Sequence, residues 1–189
     1  MGMTLPPRAV QWILLTLVLG AAVYDVRYRR IPNWLTVSGV LAGLAINAFR
    51  GRGDVRPGWP GVRLSLLGLA VAFGIYVVLY ALRAMGAGDV KLMAAVGAMV
   101  GWENWFGIFV FSALVGGVMA IILIIRKKRL AKTFWNLGFI LSEMKRGKPA
   151  YLGREELDVK SPKAVGLPHG AVIAVGTLFF LAASAHFTQ

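Results

Sequence analysis

Two aspartates stand out among the eight acidic residues of this 189-residue chain, because each sits at the end of an apolar run. Asp25 closes the run before Arg27, in Tyr24-Asp25-Val26-Arg27, and Asp89 opens another in Gly86-Ala87-Gly88-Asp89. Two carboxylates brought close together cannot both ionise cheaply, so they share a proton and titrate as a unit. One can then deprotonate a water while the other donates to a carbonyl oxygen, which is aspartic-protease chemistry and needs no metal, thiol or cofactor. Gly86 and Gly88 lack Cβ, so the backbone ahead of Asp89 can turn sharply and let an extended chain approach. A plainer reading stays open, in which Asp89 caps a helix and Asp25 pairs with Arg27, Arg29 or Arg30 in a hydrated loop. Glu103, beside Trp102, reads as a hydrated loop acid. The chain has no Cys, which closes thiolate zinc sites, cysteine nucleophiles and disulfides. His169 has no second ligand nearby in sequence, so no metal site and no cofactor are expected.

The elements that must position these acids are membrane spans. Apolar residues make up 58% of the chain and charged residues 15%, yet the net charge is +13. The charges are confined to short stretches between nearly charge-free runs, a pattern that a bilayer imposes and a nucleic-acid-binding face does not. Runs at 9–26, 33–49, 64–82, 104–125 and 164–185 each approach the ~20 residues that cross ~30 Å of hydrocarbon. A sixth, 89–102, is short and crosses only if Asp89 and Lys91 sink into it. The expected fold is therefore all-α, a polytopic bundle of six transmembrane helices with a short fourth span, forming one domain over 1–189. The first span reads as a retained helix rather than a cleaved signal peptide. Placing both termini outside puts 16 of the 21 Lys and Arg on the cytoplasmic side, together with Asp25 and Asp89. Trp34, Trp59, Trp102 and Trp105 fall near span ends and are expected at the interfaces.

Between the fifth and sixth spans, 126–163 is basic and polar. Within it Leu130, Phe134, Leu137, Leu141 and Met144 recur at steps of four and three, which predicts an interfacial amphipathic helix with its cations on anionic lipid. A partner-binding helix is the other reading, and 149–162 reads as a loop. Gly39 with Gly43, and Gly97 with Gly101, form GxxxG patterns that suit close helix packing within one bundle, with dimerisation as the alternative.

Gly86-Ala87-Gly88-Asp89 followed by Val90-Lys91, with Asp25 upstream of Ile31-Pro32-Asn33, resembles the GxGD signature of the type IV prepilin peptidase family. Leu167-Pro168-His169-Gly170-Ala171 is similar to the Pro-x-Gly element that opens the last helix in that family. The resemblance implies a membrane aspartic endopeptidase of the bacterial inner membrane, with Asp25 and Asp89 as its catalytic pair and Gly86 and Gly88 in the active-site loop. Lys91, Pro32, Asn33, Pro168 and Gly170 become supporting residues. On the residues alone, Lys91 either tunes Asp89 or snorkels to headgroups, and Asn33 caps the second span behind Pro32. The implied substrate is a prepilin: a hydrophobic helix behind a short basic leader, cut after a glycine at the cytoplasmic boundary. Bifunctional members carry paired cysteines in an added region tied to methyl transfer. This chain has no Cys, so it resembles the short, peptidase-only branch of the tight-adherence (Flp) pili, and methyltransferase activity is not expected. Presenilin and signal peptide peptidases share the Tyr-Asp and GxGD pieces, but their Pro-Ala-Leu motif has no counterpart here. The competing class is a non-enzymatic assembly scaffold or small transporter, in which the aspartates serve packing or proton movement.

Overall fold

The computed structural model describes residues 6–50, 55–126, 135, 139, 142 and 168–187. Five helical elements carry the fold: α1 (Arg8–Tyr28), α2 (Asn33–Arg50), α3 (Trp59–Ala81), α4 (Ala87–Arg126) and α5 (His169–Phe187). Four of them, α1, α3, α4 and α5, are long and apolar enough to cross a membrane. The 126–163 segment, including the stripe from Leu130 to Met144, lies outside the described residues apart from Trp135, Phe139 and Ser142, which are helical.

The helix ends follow local chemistry. α1 stops where Arg29 adopts a left-handed conformation at φ 54°, its N–H returning to the Asp25 carbonyl at 2.9 Å. Ile31-Pro32 then holds an extended entry to α2. Gly58, at φ 89°, precedes α3, whose first turn contains Pro60, a position where the missing N–H costs nothing.

α4 packs against α2, α3 and α5 at the centre of the bundle. It is one element of 40 residues with a break at Gly101, where φ 68° and ψ 169° are open only to glycine. The chain reverses at this break. A straight helix would place Ala120 about 50 Å from residue 87, whereas Ala120 and Met85 line the same cavity as His169. The break divides α4 into two arms, 87–100 and 102–126, with no loop between them.

A break of this kind orphans the last carbonyls of the first arm. They are met by side chains from two other helices. Ser65 Oγ donates to the Ala98 carbonyl at 2.7 Å, and Asn47 Nδ2 lies 3.1 Å from the Ala98 carbonyl and 3.2 Å from that of Met99. Asn47 Nδ2 also reaches Ser65 Oγ at 2.8 Å. Glycines allow these approaches. A Cβ on Gly43 would stand 2.8 Å from Ala98 and Met99 backbone atoms, and Gly68 and Gly97 lie backbone to backbone between α3 and α4. Gly39 sits on Leu17 and Ala95. The GxxxG patterns therefore pack inside the bundle.

Trp105 corrects an expectation. It is fully buried rather than interfacial, stacked on Phe109 at 5.5 Å and edge-on to Tyr76 at 6.2 Å. The reversal at Gly101 turns it inward, against α3. Trp34, Trp59 and Trp102 are exposed on the bundle surface.

Candidate active site

The turn Gly86-Ala87-Gly88-Asp89 starts the first arm of α4. Gly86 is the residue before the helix, and Asp89 Oδ2 reaches back to accept its N–H at 3.1 Å. This is the acidic half of a capping box: a carboxylate three residues in satisfies a donor that the helix leaves orphaned. The glycines have separate uses. A Cβ on Gly86 would lie 3.4 Å from Asp89 Oδ2, and one on Gly88 would press on Ile31 Cβ at 3.2 Å. Gly88 is thus where the Ile-Pro-Asn element packs against the GxGD turn.

Asp25 occupies the last turn of α1 and is 9% exposed, away from a hydrated loop. Its Oδ2 accepts the N–H of Gly170 at 2.7 Å. Gly170 lies in the first turn of α5, so the donor is one of the four that a helix start cannot satisfy internally. Glycine is required there, since a Cβ would stand 2.9 Å from Asp25 Cβ and 3.1 Å from Oδ2. Pro168 accepts the first α5 hydrogen bond, from Val172 N at 3.2 Å.

Both acids therefore rest on helix N-termini, Asp89 on its own and Asp25 on that of α5, where the macrodipole favours negative charge. The two come together, for Asp89 lies within electrostatic reach of both Asp25 and His169. Asp89 is 7% exposed, so little bulk water reaches its carboxyl group. A water held between such carboxylates can lose a proton to one as the other protonates a carbonyl oxygen.

The remaining supporting residues form a rim. Lys91 is exposed and donates from Nζ to Asn33 Oδ1 at 2.9 Å, tying the GxGD helix to the start of α2. This partner is one that the sequence does not name. The pairing also engages the Asn33 side chain, expected as a cap. Pro32 supplies a carbonyl to Thr36 N at 3.4 Å. Glu103 is exposed and stands apart from these groups.

Tyr76 is a member of the site that motif reading misses. It is 2% exposed on α3, within electrostatic reach of Asp89. The available signal is a stripe of small or polar residues, Gly61, Ser65, Gly68, Ala72 and Tyr76, at helical spacing within an otherwise bulky span.

Comparisons with known proteins point to one family. The sequence profile of the type IV leader peptidase family matches residues 12–121, which include Asp25 and Asp89. A prepilin leader peptidase/N-methyltransferase of Aeromonas hydrophila is 33% identical over 127 residues, covering 66% of this chain and 44% of the relative. Proteins of the same name from Pectobacterium carotovorum and Myxococcus xanthus are 30% and 27% identical, over 64% and 62% of this chain and 44% and 35% of the relatives. The chain spans less than half the length of these curated relatives. No solved structure gives a significant match. With a family profile over more than half its length and both aspartates inside the match, the chain belongs to the type IV leader peptidase family.

Proposed function

We propose that this protein is a membrane-embedded aspartic endopeptidase that removes the leader of a prepilin, with Asp25 and Asp89 as the catalytic pair. The observation that carries the reading is the convergence of two buried carboxylates, each held by the N–H of a glycine at a helix N-terminus. In the reaction one carboxylate takes a proton from water as the hydroxyl adds to the scissile carbonyl, and the other gives its proton to the carbonyl oxygen. Collapse of the resulting gem-diol breaks the C–N bond, with a proton passing to the departing amine. Atoms and charges balance without a cofactor.

The setting follows from the charge pattern. Six crossings are proposed, with the two arms of α4 and the shorter α2 each crossing, one domain over 1–189, and both termini outside the bacterial inner membrane. The aspartates then lie at the cytoplasmic boundary, where a basic leader would emerge from a hydrophobic helix held in lipid. The segment 126–163 is assigned to anionic headgroups on that side. The pilus proposed is of the tight-adherence type, and the activity proposed is the peptidase step. Co-expression with a tagged prepilin tests the reading. Leader removal is expected with the parental chain, and its absence at normal protein levels would refute it.

A further inference from the structure

A groove of about 410 Å³ runs along the outside of the bundle between α2, α3 and the first arm of α4. Its two ends differ in chemistry. Asn33, Thr36 and Lys91 line one end, and Val37, Leu41 and Phe73 line the rest. These apolar residues are 55%, 61% and 47% exposed, so they meet whatever surrounds the bundle. From Asn33 to Leu41, α2 rises about 12 Å at 1.5 Å per residue. That is close to the ~15 Å of hydrocarbon in one leaflet, half of the ~30 Å core. The polar end carries a positive charge. Lys91 Nζ donates to Asn33 Oδ1 at 2.9 Å, a neutral acceptor, and among the described residues no carboxylate pairs with it. The bond also sets the amide: with Oδ1 taken by the lysine, Nδ2 is left to donate, beside the remaining ammonium hydrogens. Asp89 does not share this end. Residues two apart on a helix stand ~200° apart about its axis, so Lys91 and Asp89 lie on nearly opposite faces of the arm.

We propose that this groove binds one anionic phospholipid, with its phosphate on Lys91 Nζ and Asn33 Nδ2 and one acyl chain along Val37, Leu41 and Phe73. Cationic pockets between membrane helices suit anionic headgroups, and here the apolar length begins directly below the cation. A soluble anion would leave that length uncovered, and an acyl chain alone would leave the ammonium without a counter-charge. A zwitterionic ethanolamine headgroup brings its own ammonium beside Lys91, whereas a glycerol headgroup does not, so the net negative lipid is preferred. Because the groove lies on the far face of the arm from Asp89, its occupant is a lipid of the bundle wall and not a chain being cut.

The test uses the full chain in vesicles of phosphatidylethanolamine and phosphatidylglycerol in equal amounts. A trace of phosphatidylglycerol carries a photoactivatable diazirine on one acyl chain, and labelled peptides are read by mass spectrometry. In the parental protein the label should concentrate at 37–41 and 69–73 instead of spreading over the exposed faces of α1 and α5. Lys91→Gln should lower the groove label by about fivefold, the weight of one cation near a lipid surface. Val37→Trp, which fills the apolar length, should lower it independently of the charge. Arg27→Gln removes an exposed cation outside the groove, and Val78→Trp enlarges an exposed apolar residue outside it. Both should leave the groove label within about twofold, well short of the loss of a bound headgroup's cation. Label on α5 reports that each variant is inserted alike. Even labelling of all the helices in the parental protein, or equal loss in the two controls, overturns the site. Equal groove labelling by a phosphatidylethanolamine probe with the same chains overturns it as well. Loss of groove label when a purified prepilin is added would give the groove to the hydrophobic helix of a substrate and would also overturn the proposal.

Discussion

The N–H of Gly170 and the carboxylate of Asp25 meet at 2.7 Å across 145 positions of sequence. One hydrogen bond thus fixes the start of the last helix to the end of the first. It satisfies a donor that α5 cannot satisfy itself, and it orients a buried acid. Asp89 is held in the same way by Gly86 N–H. Preorganisation of this kind lets a carboxylate pair act without rearranging at each turnover.

Gly170→Ala is expected to reduce cleavage by about tenfold or more, since misplacing a catalytic group by ~1 Å costs up to ~100-fold. The new methyl would press on Asp25 Cβ at 2.9 Å and push α5 outward. Gly20→Ala, whose Cβ would meet Leu35 methyls at an ordinary 3.8 Å, should leave the rate unchanged. Initial rates on a prepilin precursor, at matched protein levels, compare the two.

Lys91→Met should change the cleavage rate by less than about threefold. Nζ is bonded to Asn33 Oδ1 on an exposed rim, and an exposed pair contributes ~0–1 kcal/mol. A loss of activity as large as that from an aspartate substitution would show that Lys91 acts on Asp89 directly.

Asn47→Leu should destabilise the bundle by about 1–3 kcal/mol, the cost of leaving buried carbonyls unpaired. The carbonyls of Ala98 and Met99 would lose their α2 donor beside the Gly101 break. Ser65→Ala should act in the same direction, and the double variant should fall short of the sum because the two share partners. Thermal unfolding in detergent, followed by intrinsic fluorescence, measures each.

The aspartates were legible in the sequence because hydrocarbon makes acids at span ends costly, so two of them among eight stand out. Gly88 and Gly170 were legible as motif members, but not as the contacts to Ile31 and Asp25 that make glycine necessary. The reversal at Gly101 was half visible. A short charge-free run ended there, yet Gly97 and Gly101 read equally well as a packing motif, and a positive φ leaves no mark on composition. Asn47, Ser65 and Tyr76 were silent for another reason. A lone polar residue in an apolar run does not name its partner, and the partners here are backbone carbonyls of another helix and the distant Asp89. Trp105 reads as interfacial from its position near a span end, since the sequence does not mark the turn that buries it.

Cleavage of a purified prepilin by the reconstituted protein, compared among the parental chain, Asp25→Asn and Asp89→Asn, tests the central claim most directly. Mass spectrometry of the released leader identifies the cut bond. The account predicts cleavage at a single site by the parental chain and a fall of at least about 100-fold in each variant, the usual contribution of a positioned acid or base. A folded variant of either kind that cleaves at the parental rate would contradict it.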